Sequence, residues 1–214
     1  PYPGTAPISH GTHIAGTIAA EINNNEGVAG VSDTIEIMTL NADLYSSDIV
    51  KSINFSKKNN AKIINASWGS KSSSCEDVFD QSVYNAIKSF PGLFISSSGN
   101  NAQEHITQVF DFPSDYGVTT TCWEGLDNVI SVAATNNNDG LASFSDYGSQ
   151  SVHVAAPGES IYSTVISDRT YASIAEYKDD FSGVTVSGNW GVQSEAFDGQ
   201  STFLRTDINH FPYT

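Results

Sequence analysis

The sequence predicts an α/β fold built on a mostly parallel sheet covered on both faces, followed by the start of a β-rich piece. Three observations carry this. Apolar strand-like runs alternate with segments of helical periodicity between Ile35 and Ala134, the pattern of repeated β-α-β units. A helix of small residues opens at His10. From Phe181 onward the texture changes to short β-prone runs divided by Ser-Gly-Asn, Asp-Gly and Asn-His turns, which has sandwich character.

In order, Pro1 to Pro7 is a Pro/Gly-rich lead-in without periodicity, hence loop. His10-Gly11-Thr12-His13-Ile14-Ala15-Gly16 starts the first helix. Ser9 is a suitable N-cap, and Ile14 with Ile18 and Ala15 with Ala19 recur at a spacing of four. Its glycines and alanines let another backbone come close. The loop from Glu21 to Val28, with Asn23 and Asn24 at its centre, is dense in oxygens. Calcium takes six to eight oxygens at flexible spacing, so the composition permits a metal site at Asn23 and Asn24; an Asn-rich turn is the other reading.

Residues 35–40 read as a strand, 47–59 as a helix with Ile49, Val50 and Ile53 inward, and 62–67 as a second strand. Residues 76–90 carry Val78, Phe79, Val83 and Ile87 at helical spacing, so one helix is expected there. Leu93-Phe94-Ile95 and Val129 to Ala134 are further strands. In such a sheet the working residues lie at the C-terminal edge of the strands.

The chain has 24 acidic residues against 9 basic ones and a formal charge of −15. A surface this negative argues against nucleic acid or an anionic membrane as partner. No run approaches the roughly 18 apolar residues of a membrane span. A charged fraction of only 15 %, with a remainder rich in Ser, Asn and Thr, fits an extracellular enzyme, and the chain is expected to be a monomer. It begins without Met or a signal-peptide pattern, so it reads as a processed segment. Cys75 and Cys122 are too few and too far apart for a paired-CxxC zinc site; they are either one disulfide or two thiols.

The chemistry-bearing stretches are His10 to Gly16, Ile64-Asn65-Ala66-Ser67-Trp68-Gly69 and Ser97-Ser98-Gly99-Asn100. They are followed by three more segments, residues 127–135, 142–148 and 155–161. In this order they resemble the subtilisin-like serine proteases, the subtilases, over about residues 8 to 174. The resemblance implies a subtilisin-like three-layer fold and assigns roles. His10 would be the general base, while His13, a lone helical histidine, is read as structural. Ser67, Trp68 and Gly69 would run beside a bound peptide, and Ser97, Ser98 and Gly99 would border the specificity pocket. Asn100 would donate its side-chain amide to the oxyanion. Family members often carry a smaller or aliphatic residue where Trp68 stands, so the pocket is expected to differ in shape. The Glu21–Val28 loop resembles one that commonly helps bind structural calcium, and no cofactor is required for chemistry. Residues 101–127 resemble a variable loop and are given no mechanistic role.

Two family motifs do not occur: an Asp followed by a small residue and Gly, and Gly-Thr-Ser opening a helix. The first would lie upstream of Pro1. After Tyr171-Ala172-Ser173-Ile174, where Gly-Thr-Ser is due, the chain turns to Ala175-Glu176-Tyr177-Lys178. Gly199-Gln200-Ser201 imitates the motif, yet bulky Phe203, Leu204 and Arg205 follow where a nucleophile helix demands small residues. Residues 1–176 are therefore read as a partial catalytic domain and 177–214 as an incomplete β-rich, jelly-roll-like inserted module. The expected function is a fragment of a secreted serine endopeptidase acting on protein or peptide substrates, with the base and the oxyanion donor in this chain. The rival reading is a non-catalytic subtilase-like scaffold that binds protein or glycan.

Overall fold

The computed structural model describes residues 10–25, 27–40, 42, 44–164 and 201–205, the last five by their backbone alone. Ser9, residues 171–174 and most of the β-rich stretch 177–214 lie outside the described residues. The chain divides into two compact units, residues 1–41 with 162–214, and residues 42–161.

In the first unit, helix α1 (His10–Ala19) buries Gly11, Thr12, Ala15 and Gly16. The packed stripe is thus made of its smallest residues, with Ile14 and Ile18 half-buried beside it. Close approach is the reason. The Ser163 hydroxyl donates to the His13 carbonyl at 2.6 Å and Thr164 to the Thr12 carbonyl at 2.7 Å. A Cβ on Gly16 would lie 2.1 Å from Thr164 Oγ1, so any side chain there would drive the two segments apart. The loop after α1 folds back to cap it, with the N–H groups of Val31 and Ser32 donating to the carbonyls of Thr17 and Ile18. Strand β1 (Glu36–Leu40) pairs antiparallel with β8 (Ser201–Arg205), Glu36 opposite Arg205.

The second unit holds the predicted parallel sheet. Strands β2 (Ile63–Ala66), β4 (Leu93–Ser97), β6 (Val129–Thr135) and β7 (Val154–Pro157) lie side by side in that order, all parallel. One face, carrying Ile64, Ala66, Phe94, Ser96, Val129, Ser131 and Ala133, is buried. The other, carrying Ile63, Asn65, Ile95, Ile130 and Val132, is only half-buried. Helix α2 (Ser46–Lys58) packs beside α4 (Gln81–Ser89), and a small antiparallel pair joins β3 (Ser70–Ser72) to β5 (Phe110–Phe112).

The single helix expected over 76–90 is two. Helix α3 (Cys75–Val78) ends, Phe79 and Asp80 take extended backbone, and α4 begins at Gln81. Two tertiary contacts override the periodicity. The Asp80 carboxylate caps α4, accepting the N–H groups of Ser82 at 2.8 Å and Val83 at 3.0 Å. Phe79 turns inward to stack on Trp123, ring centroids 5.7 Å apart. At the centre of this aromatic cluster sits Tyr116, fully buried, within 5.1 Å of Trp123, 5.4 Å of Tyr84 and 5.5 Å of Phe112. Burial pushes the Tyr116 phenol far above its ordinary pKa, so it stays a neutral donor and acceptor. Of the two pairings left open for the cysteines, the structure has the disulfide, with Cys75 and Cys122 Cα atoms 6.1 Å apart.

Candidate active site

In the second unit, β2 and β4 run parallel and end together, Ala66 opposite Ser96. At that C-terminal edge is a cavity of about 230 Å³. Its walls are Asn65 of β2 and Ser67 just after it, Ile95 to Asn100 at the end of β4, and parts of β6 and β7 from Val132 to Ala134 and Ala156 to Gly158. Local sequence shapes it. The β4 strand stops at Ser97, and Gly99 takes φ +106°, a conformation that L side chains rarely adopt. The turn this allows leaves Asn100 exposed in the cavity wall.

The turn is held from beneath by Asp146. Its carboxylate Oδ1 accepts the N–H groups of Asn101 at 2.7 Å and Gln103 at 2.9 Å. Its own N–H donates to the Gly99 carbonyl at 3.0 Å, and the buried Ser98 hydroxyl donates to the Asp146 carbonyl at 3.0 Å. Lys71 approaches Asp146 Oδ2 at 3.3 Å. A fixed anion with this many donors can hold the backbone around Asn100 in one geometry, which is what an oxyanion donor needs.

The candidate residues separate as follows. Ser67, Ser97, Ser98, Gly99 and Asn100 all line the cavity. Asn65 joins them, its amide donating to Ser67 Oγ at 2.8 Å. Trp68 and Gly69 are not among the lining residues. Trp68 is 7 % exposed, and its ring packs on Phe94 and Phe112, centroids 6.4 and 5.5 Å away. The reason is the side-chain alternation of extended chain: with Asn65 and Ser67 on the cavity side, Ala66 and Trp68 fall on the core side. His10 stands at the first turn of α1 and is half-buried, and His13 beside it is half-buried too. Asn23 and Asn24 lie in the loop after α1, where Asn23 and Asn25 both take left-handed φ, 63° and 61°.

The stretch 101–127, given no chemistry from sequence, supplies three members of a buried ionisable cluster, which Asp146 completes. His105 is 1 %, Asp111 6 %, Asp115 0 % and Asp146 0 % exposed. Burial opposes a charged His105, but the hydrogen bond and charge of Asp115, with Asp111 and Asp146 adding to them, outweigh it and raise its pKa. Burial pushes the Asp111 carboxyl up to about 8, against the pull of His105 and Lys71. The density of acids between aromatics in Phe110-Asp111-Phe112-Pro113-Ser114-Asp115-Tyr116 is the one sequence signal that could have drawn attention to it.

A model of the subtilase family matches residues 3–190. "Subtilisin-like protease 2" of Plasmodium falciparum (isolate 3D7) is 33 % identical over 173 residues, covering 75 % of this chain and 12 % of that protein. "Subtilisin DY" of Bacillus licheniformis is 34 % identical over 173 residues, covering 77 % of this chain and 56 % of that one. Among solved structures, a protease from Pseudoalteromonas arctica PAMC 21717 superposes with a TM-score of 0.56 at 31 % identity, over 70 % of this chain and 43 % of that one. The chain therefore spans about half or less of the length of these relatives. With the family model covering most of its length, and a parallel sheet whose C-terminal edge opens on the Ser97–Asn100 turn, this chain belongs to the subtilase family.

Proposed function

We propose that this chain is the part of a serine endopeptidase that supplies the general base and the oxyanion donor. The observation that carries this reading is the cavity at the C-terminal ends of β2 and β4, walled by Ser67 and by Ser97 to Asn100. Peptide hydrolysis passes through a tetrahedral oxyanion, and a donor preorganised at that oxygen lowers the barrier without reorganising during the reaction. Asn100, exposed on a turn anchored by Asp146, meets that need.

In the intact enzyme His10 takes the proton of a serine hydroxyl as it attacks the scissile carbonyl and returns it to the leaving amine. An aspartate holds the imidazole in the required tautomer. Neither the Asp motif nor the Gly-Thr-Ser motif occurs in this chain, so both groups are assigned to further sequence. The chain alone should not turn over peptides.

The remaining proposals follow the same reading. Substrates are proteins or peptides laid along Ser67 and the Ser97–Gly99 edge. A structural calcium is assigned to the oxygen-rich loop of Asn23 and Asn24. The Cys75–Cys122 disulfide supports an oxidising, extracellular compartment. The test is labelling of the full-length protein with a serine-directed phosphonate. Labelling abolished by His10→Ala supports the assignment of the base, and labelling indifferent to that change overturns it.

A further inference from the structure

The side chains around Asp146 form a ligand set that the peptidase chemistry does not use. His105 Nδ1 lies 2.8 Å from Asp115 Oδ1, and Asp115 Oδ2 already accepts the Asp111 N–H at 2.7 Å. Asp115 is thus committed as an acceptor, so His105 Nδ1 must donate, and in the neutral ring Nε2 carries the lone pair. That atom is fully buried and makes no hydrogen bond. It looks onto Asp146 Oδ2 at 3.5 Å and onto Asp111. Between Nε2 and the two carboxylates the site takes a cation, either a proton on the ring or, in its place, a metal ion.

We propose that His105, Asp111 and Asp146 bind one divalent transition-metal ion of the zinc class. One atom from each of the three residues, all buried, lies within 4.8 Å of the others. Tetrahedral zinc holds imidazole nitrogen and carboxylate oxygen at about 2.0–2.2 Å, which sets ligand atoms about 3.3–3.5 Å apart, so the set closes by side-chain rotation. Asp115 completes the pattern: a metal-bound histidine usually gives its other ring N–H to a carboxylate, which fixes the ring and strengthens it as a donor. Nitrogen among the ligands argues against calcium, which takes six to eight oxygens.

Three carboxyl groups and one imidazole converge here beside a single ammonium, that of Lys71. Lys71 does not obstruct: its side chain is 25 % exposed and can withdraw to water. The site also has its place prepared. A Cβ on Gly99 would lie 2.3 Å from Asp146 Oδ2 and 3.1 Å from Asp111 Oδ2, and one on Gly69 would lie 2.8 Å from Asp111 Oδ1. Both carboxylates therefore rest directly on these two glycines. A metal at this point braces the turn that carries Asn100, while remaining independent of whether that residue serves catalysis.

The test uses the whole 214-residue chain, stripped with EDTA and titrated with Zn²⁺ by calorimetry. One equivalent binding at micromolar concentration or tighter is expected. His105→Gln and Asp111→Asn should each weaken it at least tenfold, and Asp115→Asn by about 10–100-fold. A second measurement needs no variant: Co²⁺ added to the wild-type chain should broaden the amide resonances of Asn101, Gln103 and His105 first. Absence of a tight equivalent, affinity unchanged in the variants, or broadening centred on His10 and His13 instead overturns the proposal.

Discussion

Asp146 Oδ1 receives the N–H of Asn101 at 2.7 Å, one residue past the amide proposed to meet the oxyanion. Asp146 is remote in sequence, so the turn is shaped by a tertiary anchor rather than by its own residues. In EDTA-containing buffer, Asp146→Ala leaves the N–H groups of Asn101 and Gln103 without their acceptor and Lys71 without its anion. Removing one partner of a buried charge network costs about 3–5 kcal/mol, read as a lowered midpoint in urea unfolding. On the proposed role of Asn100, kcat of the full-length protein should fall more than KM rises, because the loss would be of geometry at the oxyanion. A variant as stable and as active as wild type sinks this account of the turn.

Trp68 yields a prediction about stability. Its ring belongs to the core with Phe94 and Phe112, so Trp68→Ala should act mainly on stability. Emptying such a site costs about 3–5 kcal/mol, or roughly 10 °C in Tm for a chain of this size. Thermal unfolding checks it, and a shift under about 3 °C would place the ring at the surface after all.

Much of this was readable in advance, for a physical reason. Residues 62–67, 93–95 and 129–134 are apolar enough to be buried strands whatever surrounds them, and β2, β4 and β6 fall there. The cavity wall from Ser97 to Asn100 was legible because its signal is local: a glycine followed by an amide at a strand end. The break at Phe79 and Asp80 was not, since the apolar spacing runs straight through it, and only the cap at Ser82 and the stack on Trp123 decide the matter. His105, Asp111, Asp115 and Asp146 were missed for a related reason. Each is ordinary in its own segment, and the chemistry appears only when two distant segments bring them within reach of one another. The burial of the Trp68 side chain was legible as well, since counting alternately from Asn65 puts it on the side of Ala66.

The disulfide gives a third prediction. Cys75 and Cys122 close a separation of 47 residues, and on chain-entropy grounds a loop of that length contributes about 4 kcal/mol by restricting the unfolded state. Reduction, or the double change Cys75→Ser with Cys122→Ser, should lower Tm by roughly 10 °C while leaving the far-UV spectrum of the folded protein unchanged. Equal midpoints with and without reductant would show that the bond restrains nothing in the unfolded chain.

Asp80 gives the pH dependence. Burial alone would raise its pKa, but hydrogen bonds from the Ser46 hydroxyl and from the N–H groups of Val83 and Ser82 outweigh it, and the value lies below the ordinary 3.8. The folded state therefore holds the anion at pH values where the unfolded chain has begun to take up a proton. Stability from this group is complete above the unfolded value and is lost as pH falls through the folded one. Asp80→Asn keeps an acceptor for the cap but removes the charge, whereas Asp80→Ala removes both and costs about 1 kcal/mol as a lost N-cap. Urea unfolding at pH 7, 5 and 3 separates the two contributions. The gap between wild type and Asp80→Asn should be constant down to about pH 5 and shrink toward pH 3, while Asp80→Ala stays less stable than Asp80→Asn throughout. A gap that widens on acidification would mean that the anion is disfavoured in the folded state, and that the cap does not outweigh burial.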